Sequence, residues 1–220
     1  ALDTSLWAAG TSSPARAGPV VVEGRKLSRG IFGGDNITAQ AEAKSWGAST
    51  KADVELHVGS TLAYRAKAHN DIGPFEVPDV GTADRAERIS VLDFYGHHTF
   101  HGPSFHGVQE VLRRTDRGIV GRIAMSKVQS WLPTSERSAW RVDPLALDSA
   151  FQLAALWLLE EKGRAGFPVS IDTAYCLRPF EGELTASCVV EEITADSFVG
   201  HVAIHDAEGN EVAAFRGVKG

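Results

Sequence analysis

Apolar and polar residues alternate along most of this chain, and one stretch breaks the rhythm. Period-two runs predict strands at 20–22, at 27–32 after a Glu23-Gly24 break, and along 36–46. Two further runs, 52–58 and 62–68, meet at Gly59-Ser60 and read as a hairpin. The same pattern returns at 108–114, 118–126, 169–177, 184–192, 198–205 and 212–218, the last two joined by a turn running from Asp206 through Gly209 to Asn210. Between these sets lies WRVDPLALDSAFQLAALWLLEEKG, residues 140–163. Asp143 followed by Pro144 predicts a helix start, because a capping carboxylate precedes a residue whose missing N–H costs nothing at the first helical position. Gly163 predicts its end, so the helix covers 144–162.

That helix is apolar around most of its circumference, which predicts burial on nearly all sides. Asp148 and Gln152 are the exceptions, and their spacing of four puts them on one face. An unpaired carboxylate in such a setting costs several kcal/mol, so Asp148 is expected to be hydrogen-bonded, protonated or facing a pocket. A single all-round apolar helix with an antiparallel sheet long enough to curl about it predicts an α+β hot-dog architecture. Residues 89–220 read as one complete unit of this kind, and 20–69 as the sheet of a partial first repeat. An aperiodic stretch at 70–88 reads as the linker between them, and the Ala-, Gly-, Ser-, Thr- and Pro-rich residues 1–19 as an irregular lead-in.

Composition narrows the partners. A net charge of −6 with no basic run argues against nucleic acid. Two cysteines, Cys176 and Cys188, lack metal-ligand spacing and read as reduced strand residues. With no membrane-length apolar run and no signal-peptide pattern, the expectation is a cytoplasmic protein without membrane contact.

The densest cluster of chemistry is GHHTFHGPSFHG at 96–107, which holds His97, His98, His101 and His106. A metal site is not expected, since the Gly102-Pro103 turn scatters these imidazoles and no Cys or carboxylate completes a ligand set. The turn, flanked by Phe100 and Phe105, is instead expected to hold His101 at the lip of an apolar cavity.

FHGPSFHG followed about forty residues later by DPLALDSAFQ resembles the second half of dehydratase domains from polyketide and polyunsaturated fatty acid synthases. Phe100, His101, Gly102, Pro103 and Phe105 match one family element. Pro144, Leu147, Asp148 and Gln152 match the other, with Asp143 where the family often has His. The resemblance implies a double hot-dog and elimination of water from 3-hydroxyacyl chains to give 2-enoyl thioesters. It further implies Asp148 as the acid oriented by Gln152, and His101, Gly102, Pro103 and Phe105 as substrate-binding residues. It implies no cofactor of the protein's own, the substrate riding on the phosphopantetheine of an acyl carrier protein. The implied partners are that carrier and neighbouring synthase domains, with a homodimer also to be considered. Arg113, Arg114, Arg178 and Lys219 are candidate contacts for an acidic carrier.

The family's base, a His followed after three residues by Gly and after four more by Pro, has no match before residue 90. His57, in a predicted strand, and His69, at the linker, are expected to be exposed. Either the segment bearing the base lies outside this chain, or the repeat is degenerate. The second case makes the chain a catalytically inactive scaffold or acyl-binding domain. A template for polyketide cyclisation needs the same missing His, and a free-standing thioesterase is normally a single repeat.

Overall fold

The helix at the centre begins and ends where its sequence dictates. It runs from Pro144 to Lys162 (α1). The Asp143 carboxylate accepts the Ala146 N–H at 2.9 Å, Pro144 fills the first helical position, and Gly163 closes the helix at φ 70°, a left-handed conformation that glycine adopts without strain. Asp143 also accepts the Ser126 N–H at 3.0 Å, fastening the cap to the residues that precede the helix. The computed structural model describes residues 20–27, 36–46, 49–71, 76–85, 89–126, 142–166 and 168–220. The expected lead-in 1–19 and the predicted strand beyond Leu27 lie outside the described residues, as do residues 127–141.

Ten described strands form one antiparallel sheet: β1 (Val20–Leu27), β2 (Ile37–Trp46), β3 (Ser49–Val58), β4 (Thr61–His69), β5 (Val108–Arg114), β6 (Gly118–Ile123), β7 (Ser170–Cys176), β8 (Leu184–Ile193), β9 (Phe198–His205) and β10 (Glu211–Lys219). Their order is β2-β3-β4-β1-β7-β10-β9-β8-β6-β5. β1 pairs with β4 on one side and β7 on the other, so the partial first set joins the second without interruption. The Glu23-Gly24 break is not a strand end. β1 continues through it, and its register against β4 shifts between Glu23 and Lys26, as an irregularity absorbs the extra residue. β6 ends at Ile123, three residues short of expectation. The Gly59 and Asp206–Asn210 turns form as expected, and the Asn210 side chain and the Asn210 and Glu208 N–H groups converge on the Asp206 carboxylate.

The sheet's two faces do different work. Val20, Val22, Val54, Ala66, Ala174, Phe215, Val202 and Ile119 belong to one continuous core with Leu153, Leu156, Trp157 and Leu158 of α1, which packs against β5, β6, β8 and β9. The opposite face carries a smaller cluster of Val21, Tyr175 and Ala214, against which Val77 of the 76–85 segment packs.

At its C-terminal end α1 carries Glu160 and Glu161, where the helix dipole disfavours negative charge. Arg114 compensates: its guanidinium contacts both carboxylates, and its own side chain and that of Glu160 are each 7% exposed. Arg85 adds a 2.6 Å contact to Glu161, and the Ile89 N–H donates to Glu160. Arg114 is therefore committed to the interior and is not the carrier contact expected of it. No described helix is long and apolar enough to cross a membrane.

Two measurements follow. Replacing Arg114 by Leu strands a buried carboxylate and should lower unfolding free energy by about 3–5 kcal/mol, whereas Lys219→Met, which breaks an exposed pair with Asp172, should change it by less than about 1 kcal/mol. Burial pushes the Cys188 thiol up from 9.0 to about 12. The folded thiol thus stays protonated while the unfolded one ionises, so its contribution is complete below pH 9.0 and lost as pH climbs toward 12. The melting temperature of the wild type relative to Cys188→Ala should fall across that alkaline window.

Candidate active site

α1 is not buried all round. Pro144, Leu147, Asp148 and Phe151 are only partly covered, and their spacing places them along one stripe, the i, i+3, i+4, i+7 face. Asp148 sits in this stripe with 37% of its side chain exposed. Gln152, one turn on, is 2% exposed. Helical spacing lets its Nε2 donate to Asp148 Oδ2 at 2.6 Å. Among the described residues no main-chain amide binds the Asp148 carboxylate, whose contacts with Gln152 and His101 are both made through Oδ2.

The segment 90–107 closes over this stripe. Ser90 caps a short turn, Val91–Asp93, which passes into a wider π-type turn, Phe94–His98. Such turns displace side chains from ordinary helical positions and recur at functional sites. Phe94 is buried, and Tyr95 directs its hydroxyl at Gln152 Oε1, 2.6 Å away, while accepting the Val108 N–H at 2.7 Å. The expected Gly-Pro corner is present: Gly102 precedes a 3-10 turn, Pro103–Phe105, with Pro103 at its first position. The Phe105 carbonyl that emerges from this turn accepts the second Nε2 proton of Gln152 at 2.9 Å.

His101 lies where these pieces converge. Its Nε2 is 3.4 Å from Asp148 Oδ2, and its side chain is 14% exposed. Its Nδ1 lies against Thr99 Oγ1, and its ring stacks on Phe100 with centroids 4.5 Å apart. His106 Nε2 donates to the His101 carbonyl at 2.8 Å, and the His106 ring lies under Tyr95 at 4.1 Å and 14°. The geometry brings His101, Phe105, Asp148 and Gln152 together. Gly102 and Pro103 shape the corner without a polar contact to the pair.

The other histidines are elsewhere. His57 and His69 alternate with the core residues Leu56 and Ala68 and so point from the opposite face of the sheet. They are partly buried rather than exposed, His57 at 3.0 Å from Glu55 and His69 at 3.4 Å from Glu23. His97 and His98 face Asp93, His201 faces Glu191, and His205 faces Glu211. Among the described residues no group of three His, Cys, Asp or Glu side chains is arranged to hold a metal ion.

Sequence reasoning missed Tyr95 and, though it named His106 in the histidine-rich run, gave that residue no role. Tyr95 falls in no periodic pattern, and its only hint was an aromatic residue just ahead of the histidine-rich run. Burial, with a smaller contribution from the nearby Asp148 charge, pushes the Tyr95 phenol up to about 12, against the pull of the Val108 and Gly107 backbone donors. It is therefore a proton donor throughout the neutral range.

Gly107 lets this segment lie against α1, since a Cβ there would sit 1.9 Å from Ser149 Oγ and 2.8 Å from Leu145 Cδ1. Gly107→Ala should cost about 1–3 kcal/mol in chemical denaturation, the usual penalty for overpacking, and should weaken any activity that depends on His101 and Asp148.

A family model described as "Polyketide synthase dehydratase N-terminal domain" matches residues 77–220, which include every residue of this site. No curated protein matches the chain. Among solved structures, the dehydratase domain from the CurJ module of the curacin polyketide synthase is 15% identical, with a TM-score of 0.72, covering 100% of this chain and 79% of that one. An inactive His-to-Phe variant of the CurJ dehydratase, in complex with a compound, is 19% identical with a TM-score of 0.71, over 99% of this chain and 79% of that one. The dehydratase domain of RzxB from Pseudomonas fluorescens is 14% identical with a TM-score of 0.66, over 91% of this chain and 75% of that one. At these identities the likeness is one of fold, a double hot-dog with few helices and a long antiparallel sheet.

Proposed function

Because the chain belongs to the polyketide synthase dehydratase family, we propose that it removes water from 3-hydroxyacyl thioesters carried on the phosphopantetheine arm of an acyl carrier protein. The observation that carries this reading is the Asp148 carboxyl, set in a largely apolar helix, anchored through Oδ2 beside His101 and with 37% of its side chain exposed.

Elimination requires two proton movements. A base takes the proton alpha to the thioester, the C–H electrons become the new C=C bond, and the C–O bond breaks. The departing hydroxyl takes a proton and leaves as water. Asp148 supplies that proton. The resulting carboxylate keeps the Gln152 Nε2–H bond, and His101 Nε2 at 3.4 Å lies close enough to share the charge. The stacked Phe100 and His101, together with Phe105, form the wall along which the acyl thioester lies.

The base is the remaining part. All eight histidines of the chain are accounted for, and His101 alone stands beside Asp148. The reading requires a second group, a histidine base, to meet the substrate opposite Asp148. That a His-to-Phe change inactivates the CurJ dehydratase supports such a requirement. His101 in place of the family's more common Tyr leans toward the polyunsaturated fatty acid branch. A cytoplasmic synthase with adjoining domains, an acyl carrier protein and a paired second copy is the setting this function implies. Of the four basic residues considered for carrier docking, Arg113 remains, since Lys219 pairs with Asp172 and Arg178 lies 3.9 Å from Asp206.

The test is the interconversion of 3-hydroxyacyl and 2-enoyl thioesters by the protein in its native polypeptide, followed as gain or loss of water by mass spectrometry. Asp148→Asn should lower kcat by about 10²–10⁴-fold with little change in KM. Full activity in that variant removes Asp148 from the mechanism. Thioester binding without turnover by the wild type favours an acyl-binding scaffold.

A further inference from the structure

We propose that Tyr95 is a positioning residue for this site: its hydroxyl dictates which way the Gln152 amide faces, and its ring, through His106, holds the His101 backbone, so that one side chain sets both members of the His101–Asp148 pair. The catalytic meaning of this assignment rests on the dehydratase reading, while its structural content does not.

Proton accounting carries the argument. The Val108 N–H can only donate, so at 2.7 Å the Tyr95 oxygen is its acceptor. The phenolic proton is then directed to the other neighbour, Gln152 at 2.6 Å, which must present its carbonyl Oε1. With Oε1 assigned, both Nε2 protons point at groups that accept, the Phe105 carbonyl at 2.9 Å and Asp148 Oδ2 at 2.6 Å. Every polar atom of a 2% exposed amide is thereby used once in the one consistent direction. The phenol's persistence as a donor follows from its burial, which keeps it protonated to about pH 12.

The second arm is aromatic. The Tyr95 ring stacks at 4.1 Å on His106, whose Nε2 donates to the His101 carbonyl at 2.8 Å. Tyr95 thus grips the C-terminal end of the 96–107 segment, at His106 and, just beyond it, at Val108. Without the hydroxyl, the Gln152 amide has no reason to keep its orientation. The flipped amide would turn Oε1 against Asp148 Oδ2, and repulsion would swing the carboxylate away from His101.

Tyr95→Phe keeps the ring over His106 and removes only the hydroxyl. In the full polypeptide it should lower kcat by about tenfold or more with KM within about twofold, and Gln152→Ala should add little further loss in the Tyr95→Phe background. A Tyr95→Phe protein with lowered thermal stability and unchanged kcat reduces Tyr95 to a structural residue and overturns the proposal. Two measurements stand apart from turnover. In the wild type, nuclear magnetic resonance should show a slowly exchanging Tyr95 hydroxyl proton close to the Gln152 side chain, and absence of that proton overturns the proposal even where Tyr95→Phe fails to fold. In folded Tyr95→Phe the Gln152 side-chain amide protons should exchange with water about tenfold faster, and unchanged protection refutes the assignment. Should the wild type turn over no 3-hydroxyacyl thioester, the dehydratase reading fails while these two measurements still decide the role of Tyr95.

Discussion

The structure turns on the Gln152 amide. It is buried at 2% exposure within an apolar helix, where each unmet donor or acceptor would cost about 1–3 kcal/mol. Its partners come from three places: Asp148 on its own helix, the Phe105 carbonyl in the 3-10 turn, and the Tyr95 hydroxyl in the π-type turn. Satisfying all three fixes the rotation of α1 relative to the 90–107 segment. Hydrophobic packing alone would not, because a helix that is apolar nearly all round can turn about its axis at small cost. The amide converts a slippery rod into an indexed one.

The helix ends complete the indexing. At the start, Asp143 caps the first turn and holds Ser126 at the close of the 118–126 segment. At the finish, Arg114 and Arg85 meet Glu160 and Glu161, so an arrangement that opposes the helix dipole is offset by charges from β5 and the segment before it. Fixed at both ends and in the middle, α1 has one consistent placement. That placement puts the stripe of Pro144, Leu147, Asp148 and Phe151 at the boundary of the core, where a carboxyl can be anchored through one oxygen and still be partly exposed. The continuous sheet does the complementary work: alternation sends Val20, Val22 and Ala66 into the core cluster that α1 shares and sends His57 and His69 the other way. A strand histidine one residue out of phase is excluded from the site regardless of its chemistry.

Much of this was legible in the chain. The Asp143-Pro144 start and Gly163 stop bounded α1 to the residue, because capping is local chemistry between neighbours in sequence. The spacing of Asp148 and Gln152 predicted their mutual contact for the same reason, and the Gly102-Pro103 corner followed from backbone restrictions that a side chain elsewhere cannot relax. Period-two alternation placed most strands. It misread β1 at Glu23-Gly24, since an irregular residue inside a strand looks like a turn until its partners β4 and β7 are known to pair on both sides of it.

What the chain by itself determined, then, was every feature set by contacts within about one helical turn: the helix limits, the Asp148–Gln152 pair, the hairpins and the corner. Tertiary structure alone decided that β1 joins two sets of strands into one sheet, that Arg114 is drawn inward to the helix end, that Asp148 lies at the rim rather than the centre, and that Tyr95 and His106 belong to the site. These depend on residues such as Tyr95 and Gln152, 57 positions apart. No local pattern encodes a contact of that span, because it is made only when the whole core closes and buried polar groups must find partners among whatever the packing brings near.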